Sequence, residues 1–280
     1  MDRAVYNRLF SASTVTHFLS DQNQAQHFLS ALAAELPSRP QDNAEAVDAV
    51  YRNLAREYRN EYFYKNTLLN KIVLGRHSMN TTVALREVPV GQSILDFLII
   101  NGVGHVYEVK TGLDNLDRLE NQLSDYYKAF KQVSVVADAT HIAALQTMLA
   151  DTSTGIIQMK PRGVLSQVKA AVPNADHLDH TIMFKMLRKP EYEAIIQRHF
   201  GQLPEVKPVQ LFSACLALYR TLDIETAHAE LLRALKARQQ QAQKQRLFLQ
   251  VPVALRDLVY FMDLSVSQYS QLFSFLHRTI

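Results

Sequence analysis

Cysteine is almost missing from this chain of 280 residues, and its scarcity excludes chemistry at once. With Cys215 alone, neither an internal disulfide nor a cysteine-based zinc site can be assembled. That residue sits in an apolar stretch, residues 211–219, which suits a packed thiol. Long apolar runs are missing as well. None approaches the ~18 residues that cross a bilayer, and the longest candidate, residues 94–100, is interrupted by an aspartate. Residues 1–20 mix Asp2, Arg3, Asn7, Arg8 and His17 into their apolar positions, unlike a secretory signal. The expectation is a cytoplasmic protein with no membrane partner. Excess charge of one sign is small too, at net +3, and announces no nucleic-acid binding by itself. Its distribution is less even: the last hundred residues hold 13 Lys/Arg against 8 Asp/Glu, the first 180 hold 17 against 19. A basic C-terminal part beside an acidic middle fits a phosphate-binding arm and a cation site, and equally a solvated helical surface. No internal repeat is present. The one biased segment, residues 238–246, reads as a polar helical face or connector.

What is present is an apolar fraction of 48%, enough for a sizeable core in one large domain or a domain with an appendage. Residues 1–75 read as helical. Over residues 44–75 apolar side chains recur near a 3.6 period (Val47, Val50, Tyr51, Leu54, Tyr58, Tyr62), and Gly75 suits a helix end. Residues 81–90, 93–100 and 103–111 are rich in Val, Ile, Leu and Thr. They are separated by Gly91 and by Asn101-Gly102, a strong hairpin signal. Residues 114–130 return to helical spacing, 133–137 read as a strand and 141–149 as a helix. A further hairpin is expected around Pro161-Arg162-Gly163, and from Asp179 onward the pattern is helical with breaks near Pro190, Pro204, Pro208 and Pro252. The middle order is helix, three strands, helix, strand. Apolar residues on both strand faces argue for a sheet covered on two sides.

Two of these strands carry chemistry. In residues 93–100, Ile94 and Leu98 share a side with Asp96, while Leu95 and Phe97 lie opposite, so no solvent face is foreseen for the carboxylate. An unpaired buried carboxylate costs several kcal/mol, so it must be protonated, paired or metal-bound. In the next strand Glu108 and Lys110 stand two apart and project from one face. The Asn101-Gly102 hairpin can bring Asp96 beside Glu108. A divalent cation would relieve the repulsion of two close carboxylates, and Lys110 is near enough to pair with them. A lone Glu-x-Lys is more often a structural ion pair; an aspartate twelve residues earlier across a tight turn, in an equally apolar strand, is what tips the reading toward a site.

These residues resemble the PD-(D/E)xK nuclease superfamily, whose pattern is an acid on the second core strand and (D/E)-x-K on the third. The resemblance runs over roughly residues 45–137 and implies an α/β fold with a restriction-endonuclease-like αβββαβ core and helical N-terminal and C-terminal extensions. The divisions expected are residues 1–44, 45–175 and 176–280. Leu95 stands where the name-giving proline would be, as in many members. Gln122 and Tyr126, one helical turn apart, look like the Q-x-x-x-Y motif of the RecB-type branch and share a helix face. Residues 60–130 are also similar to an uncharacterised bacterial family of that superfamily found near mobile elements. By resemblance, Asp96, Glu108 and the Val109 carbonyl hold Mg²⁺, with Mn²⁺ as a substitute, and Lys110 orients or deprotonates the attacking water. The implied activity is hydrolysis of DNA to a 5′-phosphate and a 3′-hydroxyl, in mobile-element biology or defence against foreign DNA. An acid of the first core helix often supplements such sites. Of Glu57 and Glu61 the latter is the candidate, against a plain i,i+4 pair with Lys65 worth about 0.3 kcal/mol.

Weaker signals surround this core. Arg52, Arg56, Arg59, Lys65, Lys71, Arg76 and His77 alternate with Tyr51, Tyr58, Tyr62 and Tyr64, and some of them are expected to face DNA. Asp176, His177, Asp179 and His180 are metal-ligand types that usually serve as caps. The C-terminal helices offer a surface for DNA, a protein partner or a second copy of the chain. Two competing readings stand beside the nuclease: a nuclease-fold module that binds nucleic acid or protein without cutting, and a helical structural protein in which Glu108-x-Lys110 is accidental.

Overall fold

The computed structural model describes residues 3–75, 78–238 and 244–280; most of the biased segment and the pair Arg76-His77 lie outside the described residues. Five helices open the chain: α1 (Arg3–Leu9), α2 (Ala12–Ser20), α3 (Gln22–Ala34), α4 (Asn43–Glu57) and α5 (Glu61–Leu68). Short polar side chains set the starts of the last four. Ser11, Asp21, Asp42 and Asn60 each accept a first-turn backbone N–H, from Thr14, Gln24, Glu45 and Phe63. The periodicity over residues 44–75 is therefore split, because Asn60 starts a new helix; it then runs on into a π-type turn, Leu69–Val73.

Three strands follow, β1 (Val83–Val90), β2 (Ser93–Asn101) and β3 (Val103–Lys110), then α6 (Leu119–Tyr127), β4 (Gln132–Ala137), α7 (Ile142–Met148), β5 (Gly155–Lys160) and β6 (Val164–Lys169). Helix α6 begins five residues later than its spacing suggests. The Asp114 carboxylate accepts the Thr111 N–H and hydroxyl, both at 2.7 Å, and closes a turn instead. The chain ends in helices α8 (His180–Lys185), α9 (Lys189–Phe200), α10 (Leu211–Tyr219), α11 (Ile224–Ala237), α12 (Gln245–Phe248), α13 (Arg256–Met262) and α14 (Val266–Leu276). The protein is thus mixed α/β. Its six strands lie in the order β1-β2-β3-β4-β5-β6, with β1–β2 and β2–β3 antiparallel and β3–β4 and β4–β5 parallel. Among the described residues no helix is long and apolar enough to cross a membrane.

Two compact units interleave along the chain, where the sequence pattern suggests a linear division. One comprises residues 1–81, 159–165 and 240–280, the other residues 82–158 and 166–239. In the first, hydrogen bonds join the two ends of the chain. The fully buried Asn43 side chain donates to the Phe275 carbonyl at 2.8 Å and to Gln26 Oε1 at 2.7 Å, and its backbone N–H reaches the Arg278 carbonyl. Phe18 stacks on Phe275, and Phe10, Tyr51, Tyr62 and Phe63 form an aromatic cluster. In the second unit one face of the sheet, with Leu98, Ile100, Val106, Val133 and Val135, shares a core with α6 side chains Leu123, Tyr126 and Tyr127 and with Phe130. Helices α8 to α11 extend that core through Phe184, Ile196, Tyr219 and Leu231; Cys215 is buried there, a packed thiol as expected.

Gly104 on β3 lies where a Cβ would meet a Leu232 methyl at 2.7 Å and the Phe130 ring at 3.0 Å. Gly104→Ala is expected to cost about 1–3 kcal/mol by overpacking, read as a lower denaturation midpoint at constant slope; an unchanged midpoint would refute this packing. Burial pulls the His105 imidazole down to about 4. Because its unfolded value is about 6.5, the unfolded chain binds the extra proton first, so stability falls as pH drops from 6.5 to 4, by at most about 3 kcal/mol. His228 on α11 is lowered in the same way. Replacing His105 with Asn should therefore flatten the acid limb of the stability–pH profile by about half, and an unaltered limb would contradict it.

Candidate active site

Five of the six side chains expected to act meet on one face of the sheet in the second unit. The β2–β3 register pairs Phe97 with Tyr107 and Leu98 with Val106, which sets Asp96 level with Glu108 and, in an antiparallel pair, on the same face. Glu108 is 1% exposed. Its Oε1 accepts from Lys110 Nζ at 2.9 Å and its Oε2 from the Tyr126 hydroxyl at 2.8 Å. Lys110 Nζ also donates to Gln122 Oε1 at 2.9 Å. The Val109 N–H donates to Asp96 Oδ2 at 2.8 Å. A strand residue directs its N–H and C=O to the same edge, so the Val109 carbonyl leaves toward β2 as well.

The positions follow from local structure. Glu108 and Lys110 share a face because they are two apart on a strand. Gln122 and Tyr126 are one turn apart on α6 and reach down side by side, the first to Lys110, the second to Glu108. Helix α6 is fixed over the sheet by Asp125, which accepts the Gln92 N–H at 3.0 Å and the Ser93 hydroxyl at 2.9 Å. These donors and Lys128 hold the Asp125 carboxyl below the usual carboxylate range although burial opposes it. Tyr126 also lies 2.9 Å from the Ile94 carbonyl, so its single proton is shared between two acceptors. Burial first, then the charge and hydrogen bond of Glu108, push its phenol far above the ordinary value. It stays a neutral donor.

Two expectations are corrected. Asp96 is only half-buried, not closed off, because Ile94 on its own side is 58% exposed. The plain ion pair of Glu108 with Lys110 is formed, yet it is one bond in a network that also engages α6. Glu61 belongs to the other unit, where it pairs with Lys65 at 2.5 Å, the structural alternative its spacing allowed. The Asp176–His180 region acts as a helix start: Asp179 caps α8, and His180 Nε2 bonds the Leu222 carbonyl. Among the described residues no group of three or more His, Cys, Asp and Glu gathers where an ion could sit.

Two features escaped the sequence. Glu87 occupies the β1 position between the Arg86–Phe97 and Val88–Leu95 pairs, level with Asp96, and has φ +54. A left-handed backbone inside a strand is uncommon for a residue with a Cβ and concentrates at functional sites. Nothing in the alternation of residues 83–90 marks it. Beside Gln122 a cavity of about 720 Å³ opens between Gln92, Ile94, Arg118, Asn121 and Lys128. Helix α6 and the β1–β2 turn meet only in the tertiary structure.

The family described as Bacteriophage P4 protein cII matches residues 54–261, a span that takes in the whole cluster. Neither the curated proteins nor the solved structures hold a match.

Tyr126→Phe removes the neutral donor on Glu108 Oε2 and keeps the ring. A loss of about 1–3 kcal/mol is expected for the stranded carboxylate oxygen, measured by chemical denaturation. Full stability of the variant would show that the hydroxyl holds nothing in place.

Proposed function

The chain belongs to the Bacteriophage P4 protein cII family, and we propose that its β2–β3–α6 cluster is the active site of a metal-dependent nuclease acting on DNA. The observation that carries the reading is convergence: Glu108, Lys110, Gln122 and Tyr126 meet in one hydrogen-bonded cluster beside an open cavity, with Asp96 of β2 at the facing register position and bonded to the Val109 N–H. The element order β1-β2-β3-α6-β4 is compatible with the βββαβ part expected of a restriction-endonuclease-like core, which supports the reading. A family described by a bacteriophage protein fits mobile-element biology.

The donor set suits a hard dication. Two carboxylates at facing register positions and a carbonyl directed to the same edge are oxygen donors of the kind Mg²⁺ and Mn²⁺ take. Mg²⁺ keeps several waters and needs few protein ligands. When bound, the ion would polarise the phosphodiester and neutralise the charge that builds on it. The chain's own residues do the rest. Lys110, held between Glu108 and Gln122, presents an ammonium where a water attacks or where charge develops on phosphate. Gln122 offers no proton to Glu108 and serves to aim Lys110. Tyr126 keeps Glu108 in one rotamer without adding charge. Arg118 at the cavity beside them is placed to meet a phosphate of the strand.

A second reading is favoured by one fact: both oxygens of Glu108 already accept hydrogen bonds. A module that binds nucleic acid without cutting needs no more. Plasmid, linear and single-stranded DNA incubated with Mn²⁺ decide between the two. Cleavage by the wild type, falling about a hundredfold or more in Asp96→Ala and Lys110→Ala with melting curves to check folding, is the expected result. Undiminished cleavage by both variants would reject the site, and intact substrates throughout would leave the binding module.

A further inference from the structure

The first unit holds a cavity of its own, about 760 Å³, lined by Arg52, Arg56, Arg59, Lys71 and Arg162. Tyr51, Phe63, Asn66 and Thr67 also line it, and no carboxylate does. Arg52 and Arg56 come from α4 four residues apart, which sets them on one helix face, and Arg59 follows just past the end of that helix. Lys71 comes from the π-type turn after α5. Arg162 comes from the turn between β5 and β6, at the left-handed φ of +61. The next residue, Gly163, is pressed against α5, where a Cβ would meet Thr67 Oγ1 at 3.2 Å and the Phe63 ring at 3.6 Å. That close approach carries the Arg162 side chain to the cavity.

The acids nearby are mostly occupied. Glu57 accepts the Tyr6 hydroxyl, and Glu61 pairs with Lys65. Asp48 is the acid whose charge acts on Arg52. Among the described residues Arg56, Lys71 and Arg162 have no ion-pair partner. Five cations around one cavity repel one another, and an anion relieves them. Guanidinium forks match phosphate oxygens two at a time. The volume is that of a small-molecule site.

The geometry points to a binding site for a nucleotide-sized ligand held through its phosphates, either a free nucleoside triphosphate or the 5′-phosphorylated end of a nucleic-acid strand. All of its residues lie outside the Asp96–Glu108 cluster, so it stands whether or not that cluster cuts DNA. Isothermal titration of the full chain in EDTA, which keeps metal-dependent cleavage silent, tests it with four probes: ATP, inorganic triphosphate, and a dinucleotide with a 5′-phosphate or a 5′-hydroxyl. Binding of ATP or of the 5′-phosphorylated dinucleotide is expected, each weakened about tenfold by Arg56→Ala or Lys71→Ala, weakened by added salt, and unchanged by Arg39→Ala. The tighter of the two names the source of the phosphate. No heat with any probe, or equal affinity in wild type and both cavity variants, would overturn the site.

Discussion

A carboxylate with 1% of its surface exposed keeps its place only if donors replace the water it has lost, and the second unit is organised around meeting that demand at Glu108. Lys110 supplies a charged donor from the same strand, Tyr126 a neutral one from α6. Each donor is then fixed by a further partner, Gln122 for the ammonium and the Ile94 carbonyl for the phenol. One buried charge thereby ties β2, β3 and α6 into a single arrangement. The Asp125 contacts to the β1–β2 turn repeat the device at the other side of the helix. A helix anchored twice by charge-assisted bonds cannot slide along the sheet without leaving a buried charge exposed to nothing.

The same demand explains the division of labour between the two faces of β3. The even-numbered face, with Val106, Glu108 and Lys110, packs under α6 and carries the charged cluster. The odd-numbered face has His105 against Ser134 and stacked on Tyr107, a neutral polar layer in which burial holds the imidazole uncharged. Asp96 stands at the edge of the first arrangement. It is tied to the Val109 N–H yet half-open to solvent, so it is the more accessible of the two carboxylates.

Basic residues are handled in two ways. Lys65 is buried and paired with Glu61, Lys128 with Asp125 and Arg198 with Glu230. Against these, Arg52 and Arg56 on one face of α4 converge with Arg59, Lys71 and Arg162 around a cavity that no carboxylate lines. Paired cations fix structure, whereas cations gathered around a cavity that no carboxylate lines repel one another, and an anion relieves that repulsion.

Much of this was legible in residue order. Period-2 alternation, the Asn101-Gly102 turn and the Glu108-x-Lys110 spacing determined three adjoining strands and put the charged pair on one face, because strand geometry is local and repeats every two residues. The four-residue spacing determined that Gln122 and Tyr126 point together, because a helix turns every 3.6 residues. Where they point, which donor each carboxylate oxygen receives, and that Asp96 stays half-open were decided only when α6 settled on the sheet. The interleaved units, the Arg162 side of the basic cavity and the left-handed Glu87 were likewise tertiary outcomes. They depend on contacts between residues a hundred or more positions apart or on strain imposed by neighbours, and no local periodicity encodes either.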